Sequence, residues 1–344
     1  MMNRRDFLKI SASAAIGAVA GGLPLPEVAG AAAVSHGTVV CVKGAKVVTE
    51  TGLDAQAVQK MVEKGLLAFT NKTSIAAAWK EFVSPKDVIG MKINCLGRNM
   101  ISTHPVFVDA IIKSLVAAGV DENNIIVWDR FGSHMQDAHY ELKSGAGVKY
   151  LASEGAPDAV GYDEKVVFES SKGEPPRVGK KGQKTGPSCV ARILTEKITA
   201  MINLPILKDH RGAGVTLALK NIAFGVTNNS GPWHANHGDP MIPEVCAMRV
   251  VKDKLRLTIL DALEACYDGG PCPKTRDLVW QPEMVYVATD MVALDTTGAQ
   301  VIDEKRKEKG LPPATRFASH IATAARLKLG TNVKGAIRVE NVRV

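Results

Sequence analysis

An α/β fold, with a mostly parallel open sheet and helices on both faces, is predicted by three features of this 344-residue chain. Short runs rich in Val, Ile and Met alternate with longer segments whose apolar residues recur every three or four positions, the pattern of layered α/β proteins. The stretch from Val88 to Asp129 spells a complete strand, helix and strand, which demands a parallel pair with a right-handed crossover. A hydrophobic content of 46% is enough for a large core, so one large domain interrupted by a Gly/Pro/Lys-rich insert is expected.

The elements follow in order. Val58, Met61, Val62, Leu66 and Phe69 give Leu53 to Asn71 the apolar stripe of a helix, with Asp54 as its start signal. A short helix around Ile75 to Phe82 ends before Pro85. Val88 to Asn94 reads as a strand. Pro105 to Ala118 reads as a helix that Pro105 opens, with Thr103 or His104 at its cap and Gly119 as a left-handed close. Ile125 to Asp129 is the next strand, and Val148 to Leu151 and Lys165 to Ser170 are candidate strands around the insert. Beyond it come an apolar run at Ile198 to Leu207, a helix at Val215 to Val226, strands at Arg256 to Leu260 and Met284 to Thr289, a helix at Met291 to Lys309, and a final strand within Lys334 to Val344.

Ahead of this body, Asn3-Arg4-Arg5-Asp6-Phe7-Leu8-Lys9 precedes an apolar run that breaks at Pro24 and Pro26, and it resembles a twin-arginine export signal. The run is too short and too rich in Gly and Pro to span a hydrocarbon core, which needs roughly 20 apolar residues. Residues 1–33 are therefore expected to be a leader, cleaved after Ala31 or Ala33, and residues 34–344 a periplasmic domain with no stable membrane span. Its partner in export would be the twin-arginine machinery, whose substrates cross folded, commonly with a metal or cofactor already bound. The leader holds three cations against two carboxylates, so it accounts for one of the eight net positive charges.

The remaining surplus is moderate, and its densest part, Lys172 to Lys184, is threaded with Gly and Pro and lacks interleaved aromatics. It reads as a loop, and nucleic-acid binding is not expected. The six cysteines form no Cys-x-x-Cys pair, so neither an iron–sulfur run nor a zinc ribbon is written here. Cys266 and Cys272 are spaced so that they could close a small disulfide loop across Gly269-Gly270-Pro271.

Asn94, Asp129, Lys208, Asp261 and Asp290 each fall at or just after the end of a strand-like run. In an open parallel sheet such ends share the edge where ligands bind. The bland alternative is that each carboxylate caps the next helix, as expected for Asp290. Between Asn203 and Asn221, Lys208, His210 and Arg211 meet a glycine-containing turn before a helix. That suits a carboxylate or phosphate, although an ordinary basic turn has the same composition. Thr216 and Lys220, four apart, would share a helix face. Neither a phosphate loop nor a complete dinucleotide fingerprint is present. His234 and His237 beside Asp239 could ligate a divalent metal with His210 as a distant third ligand, could move protons, or could be structural loop residues.

At these residues the chain resembles the family known as domain of unknown function 362. The resemblance rests on Lys92-Ile93-Asn94, Thr103-His104-Pro105, Asn203-Leu204-Pro205 with Lys208-x-His210, Thr216 through Lys220-Asn221, and Ala288 through Asp295, and it spans Val88 to Ile302. Some relatives carry ferredoxin-type cysteine runs, which this chain lacks. The resemblance implies the fold and no settled chemistry. The resulting expectation is an exported enzyme, metal- or cofactor-dependent and of oxidoreductase type. His210, Lys208 and Asp129 would be catalytic, with Lys92, Asn94, His104, Thr216, Lys220, Asn221 and Asp261 around a small anion. A non-catalytic binding or cofactor-maturation protein using the same cationic pocket is the alternative.

Overall fold

A computed structural model describes residues 37–50, 52–173 and 186–344. The expected leader and most of the basic insert lie outside these described residues. All described residues fall within one compact unit, and its fold is α/β.

Its main sheet runs in the order Arg338–Arg343, Thr38–Lys43, Met284–Ala288, Leu255–Cys266, Ala200–Asn203, Ile89–Lys92, Ile125–Phe131, Lys149–Glu154. Five adjacent strands, from Leu255–Cys266 to Lys149–Glu154, are mutually parallel. Met284–Ala288 alone on this path runs against both its neighbours. Alternate side chains feed two cores. Val40, Val42, Ile89, Met91, Ile125 and Val127 pack beneath helices Ala55–Thr70 and Pro105–Ala117. Cys41, Ile126, Trp128, Met201 and Tyr286 face helices Ala218–Val226, Met241–Ala247 and Met291–Glu308. Burial of each large side chain contributes about 1.5–3 kcal/mol, so the two-faced sheet is the main source of stability.

The local signals act as their chemistry requires. Asp54 accepts from the N–H groups of Gln56 and Ala57, and Asn71 closes that helix in the left-handed region. Pro105 opens the crossover helix, and Gly119 follows it at φ +94°. The sheet, mixed in direction, has an edge strand at Arg338–Arg343, inside the predicted span, parallel to Thr38–Lys43, a strand outside those expected from the sequence.

Four expectations need correction. Leu204-Pro205 splits the Ile198 to Leu207 run, because proline cannot donate to a ladder. Ala200–Asn203 and Ile206–His210 then pair in turn with the two halves of Leu255–Cys266. The helix expected from Val215 begins only at Ala218. Gly214, at φ +74°, turns the chain into a hairpin that sets Thr216 opposite Lys208. Asp261 is not at a strand end, since its strand continues to Cys266. Asp290 follows the antiparallel strand, so it lies at the opposite edge from Asn94 and Asp129. There it caps Met291–Glu308 through the N–H groups of Val292 and Ala293, as the bland reading had it.

Candidate functional site

Register builds the site. Lys92 stands opposite Trp128 on one neighbouring strand and Asn203 on the other; Lys92 and Asn203 end their strands, while the strand of Trp128 runs on to Phe131. All three side chains face helix Ala218–Val226, whose first turn brings Lys220 and Asn221 down onto them. That helix lacks a capping side chain of its own; Asp295 supplies one from a distance, accepting from Ala218 N–H at 2.7 Å and Leu219 N–H at 3.0 Å.

The result is a buried polar network. Lys92 Nζ donates to Asp129 Oδ1 at 2.6 Å and to the Ile93 carbonyl at 2.7 Å. Asp129 Oδ2 accepts from Cys95 N–H at 2.6 Å. Asn221 accepts from Asn94 Nδ2 at 2.9 Å and donates to Asn203 Oδ1 at 2.8 Å. Lys208 Nζ reaches the network from behind, donating to Asn94 Oδ1 at 2.7 Å. Gly225 is what lets Lys92 lie under the helix, since a Cβ there would collide with its Cε and Nζ.

In front of the network opens a cavity of about 290 Å³ lined by Lys92, Asn94, Asp129, Arg130, Phe131, His134, Thr216, Lys220, Asn221, Phe224, Ser230 and His234. Three of these groups have a polar atom with no hydrogen-bond partner among the described residues: His134 at Nδ1, and Lys220 and Thr216. Lys220, 3% exposed, has its ammonium 3.8 Å from the centre of the Phe224 ring and makes no hydrogen bond among the described residues. Thr216, 2% exposed, has a hydroxyl with no hydrogen-bond partner among them. Arg130 is held at the rim by Glu154 at 2.6 Å and by Ser230 Oγ at 2.6 Å.

The electrostatics are one-sided. Burial, with Lys208 and Arg130 nearby, pushes the Lys220 pKa down to about 7. Burial likewise lowers Lys208 to about 8. Around Lys220 stand three imidazoles held neutral. Burial, with Lys220 next, holds His210 far below its ordinary range and His320 at about 3; partial desolvation, with Lys220 next, lowers His234. His210 Nδ1 accepts from the N–H groups of Gly212 and Ala213, so it bears no proton. His234 stacks on His210 at 5.5 Å, and its Nδ1 lies 3.0 Å from the Gly231 carbonyl, to which it must donate. Nε2 of His234 therefore carries the lone pair.

Of the sequence candidates, Lys92, Asn94, Asp129, Thr216, Lys220, Asn221 and His234 line the cavity. Lys208 and His210 lie just behind it. Thr216 and Lys220 meet there from a strand end and a helix, not from one helix face. His104 and Asp261 belong elsewhere. Asp261 Oδ2 accepts from His104 N–H and Nδ1, both at 2.8 Å, while Glu264 lies 3.2 Å from Nε2 and 2.5 Å from Arg276. Two acceptor-only carboxylates require both ring nitrogens to donate, so His104 is an imidazolium. Burial opposes that charge, but Asp261 and Glu264 drive its pKa up to about 10.

The expected metal trio does not converge. His237 Nδ1 donates to the Gly212 carbonyl at 2.7 Å and its ring stacks on Phe317, while Asp239 accepts from Thr323 at 2.9 Å. Among the described residues, no group of three His, Cys, Asp or Glu side chains is arranged to hold a metal. Cys266 and Cys272 are free thiols with separate partners, the Asp268 and Leu96 carbonyls. Arg130, Phe131, His134 and Phe224 were missed by the sequence reading. Extending the strand-end rule by one or two residues past Asp129 would have reached the first two, and helical spacing from Lys220 the last.

This arrangement of a parallel-sheet edge, a buried Lys-Asp-Asn network and a cationic cavity defines an α/β protein with a carboxyl-edge site. The family profile described as domain of unknown function 362 matches residues 89–300, more than half the chain, and the protein belongs to that family. No curated protein matches it. A crystal structure of a Thermotoga maritima protein is similar at 12% identity with a TM-score of 0.37, covering 64% of this chain. The match spans 53%, about half, of that solved chain.

Proposed function

We propose that this is an exported protein that binds a small organic anion in the cavity between Arg130 and Lys220. The observation that carries the reading is Lys220, a buried cation without a hydrogen-bonding partner, set beside a hydroxyl that also lacks one. Burying an unpaired charge is costly, and such a position is retained where a ligand completes it. No carboxylate is among the groups that act on Lys220, and Asp129, which lines the cavity, is taken by Lys92. The cavity volume suits a ligand the size of a small carboxylic acid or phosphate ester. His234, with its free lone pair, gives the pocket a base, which favours an enzyme over a carrier.

Calorimetric titration with lactate and with inorganic phosphate tests the reading. At least one should bind to the wild type and weaken with added salt, and neither binding would end it. Export by the twin-arginine route is supported by Asn3 to Lys9. An Arg4→Lys, Arg5→Lys variant should stay unprocessed in the cytoplasmic fraction. Unchanged delivery to the periplasm would remove this part of the proposal. No helix among the described residues is long and apolar enough to cross a membrane. An oxidoreductase role, expected from the leader and from cysteine-bearing relatives, draws no support from the pocket's side chains.

A further inference from the structure

Resting on the anion-binding reading, we infer that Lys220 is a nucleophilic amine that forms an imine with the carbonyl carbon of a small 2-oxo acid, whose carboxylate Arg130 holds. Three observations converge. The Lys220 amine faces the cavity with no hydrogen bond to satisfy it, and burial loosens its proton even though the Phe224 ring face favours the charged form. Its other surroundings offer no rival use. Asp129 is engaged by Lys92, and His210, His234 and His320 are neutral rings that do not pair with it. The second pocket cation, Arg130, is anchored by Glu154 and Ser230, so it can orient a carboxylate while Lys220 addresses the adjacent carbonyl.

A pKa near 7 leaves about half of Lys220 unprotonated at neutrality, against well under 1% for an ordinary lysine. In the reaction the Lys220 nitrogen adds to the carbonyl carbon, and a new C–N bond forms as the carbonyl oxygen becomes a hydroxyl. One proton lost from the nitrogen passes through Nε2 of His234 to that oxygen and makes the hydroxyl, and the second follows the same route as the C=N bond forms, so that the hydroxyl leaves as water. Nothing is oxidised or reduced, and no other reactant is needed.

The test treats the purified mature protein with pyruvate and cyanoborohydride at pH 7, then maps reduced adducts by peptide mass spectrometry, with lactate binding measured in parallel. One reduced pyruvyl group should appear at Lys220 at least about tenfold faster than at any other lysine. Lys220→Arg should lose that group. If lactate binds but adducts are absent or spread evenly over surface lysines, the imine falls and the anion site stands. If neither lactate nor inorganic phosphate binds and no adduct forms at Lys220, both fall.

Discussion

Two charged clusters sit on this sheet, and they are spent very differently. In the His104, Asp261, Glu264 and Arg276 cluster every charge has an opposite partner between 2.5 and 3.2 Å away, and both imidazole nitrogens donate. In the cavity around Lys220 the hydrogen-bonding account is left open, with an ammonium against a phenyl ring and a threonine hydroxyl facing nothing. Both are rich in the residue types that mark active sites. What separates them is unused bonding capacity directed at space, and that points to a ligand, whereas full mutual pairing points to structure.

The largest effect should come from the pair that underlies the cavity. Lys92→Met leaves Asp129 buried without its cation and should lower stability by about 3–5 kcal/mol in urea unfolding. Gly225→Ala attacks the same pair from the helix side by displacing the Lys92 ammonium, and should cost about 1–3 kcal/mol. A melting temperature unchanged in both would deny the network its structural role.

Next in size, Lys220→Met should weaken lactate binding by about 1.5–3 kcal/mol, roughly tenfold to a hundredfold, while leaving stability equal or higher because an unpaired buried cation has gone. For the wild type, lactate affinity should fall as pH rises through about 7, where Lys220 loses its proton. A flat profile from pH 6 to 9 would contradict that ionisation.

The paired cluster should respond in the opposite manner, in stability and not in binding. The folded pKa of His104, about 10, lies above its unfolded value, so its contribution is complete below pH ~6.5 and is lost as pH rises through 10. Glu264, lowered to about 2 by His104 and Arg276 against the opposing effect of burial, loses its contribution as pH falls through that value. His104→Asn should flatten the alkaline decline and leave lactate affinity within about twofold. Smallest of all, Thr216→Val should leave the melting temperature unchanged or slightly raised, because the hydroxyl it removes is unsatisfied. Its cost in lactate affinity should be about 0.5–1.5 kcal/mol. A clear loss of stability would mean that the hydroxyl is bonded within the protein.

Much of the fold was legible because it is written in local chemistry. The stripe from Val58 to Phe69, the Asp54 and Asp290 caps, Pro105 and Gly119 all act within a few residues of themselves. Strand direction is not local. Nothing within Met284–Ala288 records that it runs antiparallel, so Asp290 was grouped with residues of the other edge. The hairpin at Gly214 hid in the same way, since Val215 to Val226 carries a plausible helical stripe throughout.

For the site, the sequence by itself determined that Asn94 and Asp129 stand near the ends of strand-like runs and that Lys220 lies four residues from Thr216, while resemblance to the family added Lys92 and Asn221. Which charges are cancelled was decided only by tertiary structure. Asp261 and His104 carry the same formal chemistry as Asp129 and Lys220, yet they meet each other across 157 residues of chain and close their account. Pairing depends on distances between strands and helices far apart in the chain, and residue identity cannot encode them.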